Sequence, residues 1–332
     1  MQSIEVNKNE AGQRLDKLLG KYLNLAGKGF LYKMMRKKNI TLNGKKCEGS
    51  EKLQEGDLIR LFLADETIEK FSQVKLRQVE EKKLDILYED EHILLVNKPA
   101  GMLSQKAKDT DESLVEYVID YLLSSGQLTR EELRSFRPSV CNRLDRNTSG
   151  LVAAGKSLAG LQLLSAVFQD RSLHKYYLCV VKGYVKEKKR LSGVLVKEER
   201  QNQVHVKIVE GKWLAQQKDQ KTIIHTEYEP LAYKDGYTLL KVTLLTGKTH
   251  QIRAHLAAAG HPIAGDYKYG DPEANAEVKK KYGIHSQMLH SYQMIFPDMP
   301  EPLAYLSGRC FTAPVPAKFR RMFAEAFQKL II

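Results

Sequence analysis

Three segments concentrate side chains able to do chemistry. Asn142-Arg143-Leu144-Asp145-Arg146-Asn147-Thr148-Ser149-Gly150 packs cations, a carboxylate and hydroxyls into a loop ahead of the apolar run Leu151-Val152-Ala153-Ala154. Read alone, a loop of this kind is usually a surface turn with an internal ion pair. Thr246-Gly247-Lys248-Thr249-His250-Gln251-Ile252-Arg253-Ala254-His255 joins a Gly-Lys-Thr triplet to two histidines and an arginine. The triplet is not a phosphate loop, because that motif needs a glycine where this chain has Val242. His250 and His255 stand at i, i+5, so they do not share a helix face as the i, i+4 pair of a zinc helix does, and the glutamate of such a helix is absent. No metal is expected there. His174-Lys175-Tyr176-Tyr177-Leu178-Cys179-Val180-Val181-Lys182-Gly183 reads as an amphipathic strand, with Tyr177 by itself a core aromatic.

The elements that must position these segments follow from periodicity. Ile86 to Asp90 and Ile93 to Val96 read as strands around a turn at Asp90-Glu91-His92, and Asn97-Lys98-Pro99-Ala100-Gly101 breaks the second strand. Ser113 to Leu123 and Leu158 to Phe168 read as helices. Tyr176 to Val181 is a strand, and Ile223 to Leu231 pairs with Tyr237 to Leu245 across Lys234-Asp235-Gly236. Thr249 is expected to cap a helix from His250 to Ala259 that Gly260 ends. The mixture predicts an α+β fold in which a sheet carries helices.

The N-terminal part differs in charge. Lys28, Lys33, Arg36, Lys37, Lys38, Lys45 and Lys46 follow one another with no acid between them, and Phe30, Leu31, Met34 and Met35 recur among them at helical spacing. Arg14-Leu15-Asp16 opens an earlier amphipathic helix, Asn43-Gly44 marks a hairpin after Ile40-Thr41-Leu42, and Gly56-Asp57 precedes the strand Leu58 to Leu63. That order of helix, helix, hairpin and strand resembles an S4 RNA-binding module. Residues 64–83 are charge-rich with few apolar side chains and read as an inter-domain connection. The expected division is 1–70 as the S4-like unit, 71–84 as linker and 85–332 as a second domain that holds the three chemistry-bearing segments.

Composition narrows the classes. The 332 residues carry 53 Lys plus Arg against 40 Asp plus Glu, a net charge of +13 that favours a polyanionic partner. An apolar share of 42% is globular rather than disordered. No apolar run reaches the ~18 residues of a membrane span, and the start Met1-Gln2-Ser3-Ile4-Glu5-Val6 does not read as a secretion signal. Cys47, Cys141, Cys179 and Cys310 stand far apart, without a zinc-knuckle or disulfide pattern. A cytoplasmic monomer is the expectation.

Taken together the segments resemble the RluA-type pseudouridine synthases over nearly the whole chain, with a flavour closest to the RluC-like branch that acts on large-subunit ribosomal RNA. Asn97-Lys98-Pro99-x-Gly101, Arg143-Leu144-Asp145-x-x-Thr148-Ser149-Gly150, Lys175-x-Tyr177, Gly247-Lys248-Thr249-His250-Gln251-Ile252-Arg253-x-His255 and Pro262-Ile263-x-Gly265-Asp266 stand in family order. Two positions depart from it: Asn142 stands where histidine is common, and Leu103-Ser104-Gln105 replaces a Val-His-Pro stretch. The resemblance implies a small S4-like αα-hairpin module followed by a mixed, largely antiparallel sheet. It also implies conversion of uridine to pseudouridine in RNA, a redox-neutral isomerisation that demands no cofactor. It implies Asp145 as the carboxylate acting on the nucleotide, as nucleophile or by assisting glycosidic cleavage. Arg253 is implied as its cationic partner, and Tyr177 as the ring stacked on the flipped uracil. Arg143 is placed to fill the space the base vacates and Arg146 to meet phosphate, while Lys33, Arg36, Lys37, Lys38 and Lys45 would line the RNA-docking helix and hairpin. Ribosomal RNA is expected before tRNA. The competing reading is a non-catalytic RNA-binding or ribosome-assembly factor. A sugar hydrolase lacks the second partnering carboxylate.

Overall fold

The computed structural model describes residues 1–73, 83–108, 110–198, 203–209 and 222–329. The N-terminal unit runs β1 (Gln2–Glu5), α1 (Leu15–Tyr22), α2 (Lys28–Arg36), β2 (Ile40–Leu42), β3 (Lys45–Lys46), β4 (Leu58–Leu61) and α3 (Asp65–Phe71). Its four strands form an antiparallel sheet in the order β1-β4-β2-β3. Asn43 and Gly44, both at positive φ, make the tight turn between β2 and β3 that the Asn-Gly pair predicts. The helices bury one stripe each: Leu15, Leu18, Leu19 and Tyr22 of α1 meet Leu31 and Met35 of α2 over Ile40, Ile59 and Leu61 of the sheet. Arg14 grips Asp16 through two 3.0 Å bonds, and the Tyr32 hydroxyl of α2 donates to the same carboxylate at 3.0 Å. That triad braces α1 against α2.

Part of the stretch read as linker is helical. In α3, Ile68 is fully buried in the N-terminal core, and Phe71 meets Phe30 with ring centroids 4.8 Å apart. A seven-residue helix, about two turns, needs only two apolar side chains on one face, too few to stand out in a charged stretch. The remainder of that connection, residues 74–82, lies outside the described residues.

The rest of the chain builds on an 11-stranded sheet. It comprises β5 (Ile86–Glu89), β6 (Ile93–Lys98), α4 (Leu114–Ser124), β7 (Ser139–Val140), β8 (Ser149–Gly155), α5 (Leu158–Gln169), β9 (His174–Lys182), β10 (Lys189–Glu198) and β11 (Gln203–Ile208). It continues through β12 (Ile223–Lys234), β13 (Tyr237–Leu244), α6 (Gln251–Ala258), α7 (Pro272–Tyr282), β14 (Leu289–Ile295), β15 (Cys310–Thr312), α8 (Ala317–Met322) and α9 (Ala324–Lys329). The strand order is β11-β10-β12-β13-β9-β14-β8-β6-β5, with β15 on β14 and β7 on β8. Pairing is antiparallel except between β8 and β14.

The continuous apolar runs of β6 and β8 follow from burial of both faces. Leu94, Val96, Val152 and Ala154 face the cluster that contains Leu114, Val118 and Leu122 of α4. Ile93, Leu95, Leu151 and Ala153 face the one that contains Leu164 and Val167 of α5. The two units touch through Tyr22: Arg134 lies 4.4 Å over its ring and donates to Ser72 at 2.8 Å, while the Tyr22 hydroxyl donates to Glu131 at 3.0 Å. Among the described residues no helix is long and apolar enough to cross a membrane.

Candidate active site

The loop carrying Asp145 lies between β7 and β8 and is tied down at several points. The side chain of Asn142, one of the two departures, accepts from Ala153 N–H at 2.8 Å and donates to the Leu151 carbonyl at 3.2 Å. It therefore hydrogen-bonds β8 at the foot of the loop. Ser104, the other departure, is buried and its hydroxyl both donates to Leu144 O and accepts from Leu144 N, each at 2.9 Å. The backbone immediately before Asp145 is thus clamped from a distant segment. Thr148 N closes the turn onto the Asp145 carbonyl at 3.0 Å.

The loop ends where β8 enters beside β14, and only glycine fits there. Gly150 has φ +110, and a Cβ on it would lie 2.1 Å from the Ser291 carbonyl oxygen. Ser149 Oγ and His290 Nδ1, 2.9 Å apart, secure the same junction. β9 brings Tyr177 in from the other side of β14, in register with Ser291. Tyr177 is buried, and burial together with the charge of Asp145 pushes its phenol up to about 12.

Arg253 arrives on the first turn of α6. That helix does not start on a Thr249 cap. His250 holds the entry instead, in the left-handed region at φ 54 and without a side-chain cap bond, and the helix spans Gln251–Ala258. Arg253 Nη1 donates to Asp145 Oδ2 at 2.7 Å. From behind, Nε and Nη2 form a fork onto Asp266 at 2.7 and 2.9 Å. Gly265, at φ +76 and with the Ser286 carbonyl 2.4 Å from where a Cβ would stand, lets the chain turn tightly enough to deliver Asp266. Asp266 also accepts the backbone N–H groups of Lys268 and Tyr269 at 2.9 and 3.1 Å. Burial opposes both charges, but Asp266 and Asp145 raise the Arg253 guanidinium's pKa, and Arg253 in turn holds the Asp266 carboxyl below its ordinary range. The exposures separate the two carboxylates: Asp266 is at 0% and Asp145 at 24%, so only Asp145 offers a face to an incoming molecule.

Beneath Asp145 lies Lys98, the last residue of β6 and fully buried. Its ammonium donates to the carbonyls of Pro99, Met102 and Arg146 at 2.9, 2.8 and 3.1 Å. Burial pushes its pKa down to about 7 while the Asp145 charge pulls the other way. The structure thus gathers Asp145, Arg253 and Tyr177 as the sequence expects, and adds Lys98, Ser104, Tyr269 and Asp266. Lys98 and Asp266 stood inside recognised motifs, without a role attached; Ser104 and Tyr269 carry no local signal. Arg143 and Arg146 are exposed on either side of Asp145 in the chain. Lys33, Arg36, Lys37, Lys38 and Lys45 are exposed on the N-terminal unit, on α2, on the turn after it and on β3. Among the described residues no group of three or more His, Cys, Asp or Glu side chains is arranged to hold a metal ion.

A family profile described as RNA pseudouridylate synthase matches residues 92–258, which span the Asp145 loop, β9 and α6. The chain belongs to the RNA pseudouridylate synthase family. It is an RNA-modifying isomerase. Its relatives include a protein named ribosomal large subunit pseudouridine synthase C from Vibrio parahaemolyticus serotype O3:K6 (strain RIMD 2210633), 31% identical over 307 residues, 89% of this chain and 88% of that one. The protein of the same name from Escherichia coli (strain K12) is 31% identical over 311 residues and 88% of each chain. Among solved structures, human RNA Pseudouridylate Synthase Domain Containing 4 has a TM-score of 0.52 at 20% identity, covering 74% of this chain and 92% of that one. The synthase fold therefore has its counterpart in a solved structure.

Proposed function

We propose that this synthase converts uridines of large-subunit ribosomal RNA to pseudouridine, with Asp145 as the carboxylate that acts on the nucleotide. One observation carries the assignment of Asp145. It is the partly open carboxylate of a buried Asp145–Arg253–Asp266 chain, held at one oxygen and accessible at the other. A fixed arginine holds one carboxylate oxygen in place where the substrate meets the other. The ribosomal target is supported by the names of the relatives aligned along most of the chain.

The uracil must leave its stack to reach Asp145, at a cost of a few kcal/mol. Arg143 takes the space the base leaves, and Arg146 meets the adjoining phosphate. Tyr177 stacks on the flipped ring, and its hydroxyl, kept protonated by burial, serves as a base late in the reaction by passing its own proton on as it takes the C5 proton. The N1–C1′ bond breaks, the uracil turns, C5 bonds to C1′, and N1 takes up a proton as C5 gives one up, so the product is an isomer of the starting nucleotide. The N-terminal unit acts as an S4-type module, with Lys33, Arg36, Lys37, Lys38 and Lys45 reading backbone shape rather than base sequence. We place the enzyme in the cytoplasm as a monomer, where its reduced cysteines and polyanionic substrate fit.

Tritium release from RNA labelled with [5-³H]uridine tests the proposal, since pseudouridine formation exchanges the C5 hydrogen. Release is expected from large-subunit ribosomal RNA and lost in Asp145→Asn. Release from tRNA alone would overturn the target, and release by Asp145→Asn would overturn the residue.

A further inference from the structure

The two oxygens of Asp145 have different surroundings. Oδ2 accepts from Arg253 at 2.7 Å. Oδ1 lies 3.9 Å from Nε2 of His250, beyond hydrogen-bond range, and catalytic hydrogen bonds are often this long until substrate is bound. His250 keeps an uncommon backbone conformation, φ 54, for a residue with a β-carbon. Its ring is fixed by Tyr269: Nδ1 lies 2.9 Å from the Tyr269 hydroxyl, and the two rings meet edge to face with centroids 5.6 Å apart.

That hydroxyl bears on which nitrogen carries the proton. It accepts the backbone N–H of Val204 at 3.0 Å, and among the described residues the acceptor within reach of its own proton is His250 Nδ1, so we assign that proton to the Nδ1 contact. Nδ1 is then the acceptor, the ring proton sits on Nε2, and Nε2–H faces Oδ1 of Asp145. The charged and titratable groups around the ring come from three elements: Asp145 from the loop before β8, Arg253 from α6, and Asp266, Lys268 and Tyr269 from the segment after α6. Burial favours the neutral ring and lowers its pKa from the ordinary 6.5, with Arg253 and Lys268 acting in the same direction against Asp145 and Asp266. The neutral state matters chemically. A neutral donor orients a carboxylate oxygen, whereas an imidazolium would bind it as an ion pair and blunt it.

We propose that His250 is a positioning residue for the reaction: its Nε2–H holds the Oδ1 side of Asp145 while Arg253 holds Oδ2, so that Oδ1 is the oxygen presented to the ribose, and Tyr269 sets the tautomer. This inference rests on Asp145 being the carboxylate that acts on the nucleotide. Tyr269 thereby has two tasks, because its ring also lies 5.1 Å from the Arg253 guanidinium.

The test is kcat and KM for tritium release from ribosomal RNA, followed from about pH 5 to about pH 8, for the full-length enzyme and three variants. His250→Leu should lower kcat about 100-fold with KM little changed, the cost of a misplaced reacting group. His250→Gln restores an amide donor near the position of Nε2 and should recover activity to within about tenfold of wild type. It should also remove the part of the acid limb that comes from ring protonation. Tyr269→Phe keeps the ring on Arg253 and removes only the hydroxyl. The neutral ring then loses its donor, so the acid limb should move to higher pH. A wild-type kcat in His250→Leu would overturn the proposal. So would equal losses in Leu and Gln variants with an acid limb unmoved in Gln and Phe variants, the outcome of a merely structural role. Asp145→Asn run alongside keeps the two readings apart: turnover by that variant defeats the Asp145 assignment, whereas its inactivity beside normal His250 variants defeats only this inference.

Discussion

Arg253 makes its charge–charge hydrogen bonds in a place where water reaches little of it, and each such bond contributes about 1.5–3 kcal/mol. Removing it leaves the buried Asp266 and the half-buried Asp145 without their cation. Arg253→Ala is therefore expected to abolish measurable turnover and to cost about 3–5 kcal/mol of stability, read by urea denaturation. Near-normal activity would contradict the pairing. Asp266→Asn is the subtler change. It keeps the shape behind Arg253 while removing the charge, so kcat should fall about 10- to 100-fold with Asp145 itself untouched. Tyr177→Phe keeps the ring and deletes the hydroxyl; a fall in kcat of about 100-fold is expected if that hydroxyl takes the C5 proton, and an unchanged rate would leave only stacking. Lys98 adds a pH signature. Its pKa falls from 10.5 to about 7 on folding, so between those values the unfolded chain binds a proton that the folded chain lacks. Stability should rise with pH across that window by up to about 1.4 kcal/mol per unit, and this slope should vanish in Lys98→Met.

At the level of elements, the site depends on how closely β8 and β14 approach. Gly150 sits where these two parallel neighbours meet, and any side chain there would strike the Ser291 carbonyl. Gly150→Ala should cost about 3 kcal/mol or more, through both the clash and the positive φ, and should displace the Asp145 loop; a thermal melt and the release assay read the two effects together. The helix α6 illustrates how the local code and the tertiary structure diverge. Its existence and its end before Gly260 were legible from the amino acids alone. Its start was not, because Thr249 is a good cap by type but the chain enters the helix through His250, whose ring is held by Tyr269. The short α3 was hidden for a different reason, since its buried side of Ile68 and Phe71 finds its partners in α1, α2 and the N-terminal sheet rather than in its own sequence.

At the scale of the whole molecule, the positive charge is distributed by task. The basic side chains of the acid-free run from Lys28 to Lys46 are exposed on the N-terminal unit, while Arg253, which pairs with Asp145, and Lys98 are buried. Deleting residues 1–75 should weaken RNA binding and flatten its dependence on salt, with the catalytic sheet still folded; an unchanged salt slope would remove the RNA-docking role from that unit. The contacts of Tyr22 with Arg134 and Glu131 show that the unit is seated on the catalytic part rather than simply tethered to it. What the sequence determined by itself was the α+β class and the family, because these are written in residue type, order and short-range period; it also singled out Asp145, Tyr177 and Arg253 as candidates for the site. Only the tertiary structure decided that Asp266 grips Arg253 from behind, that Ser104 clamps Leu144, and that Lys98 spans three carbonyls under the Asp145 loop. The physical reason is that periodicity records which face of an element is buried, whereas hydrogen-bond partners separated by 40 or 48 residues meet only when the strands are in register.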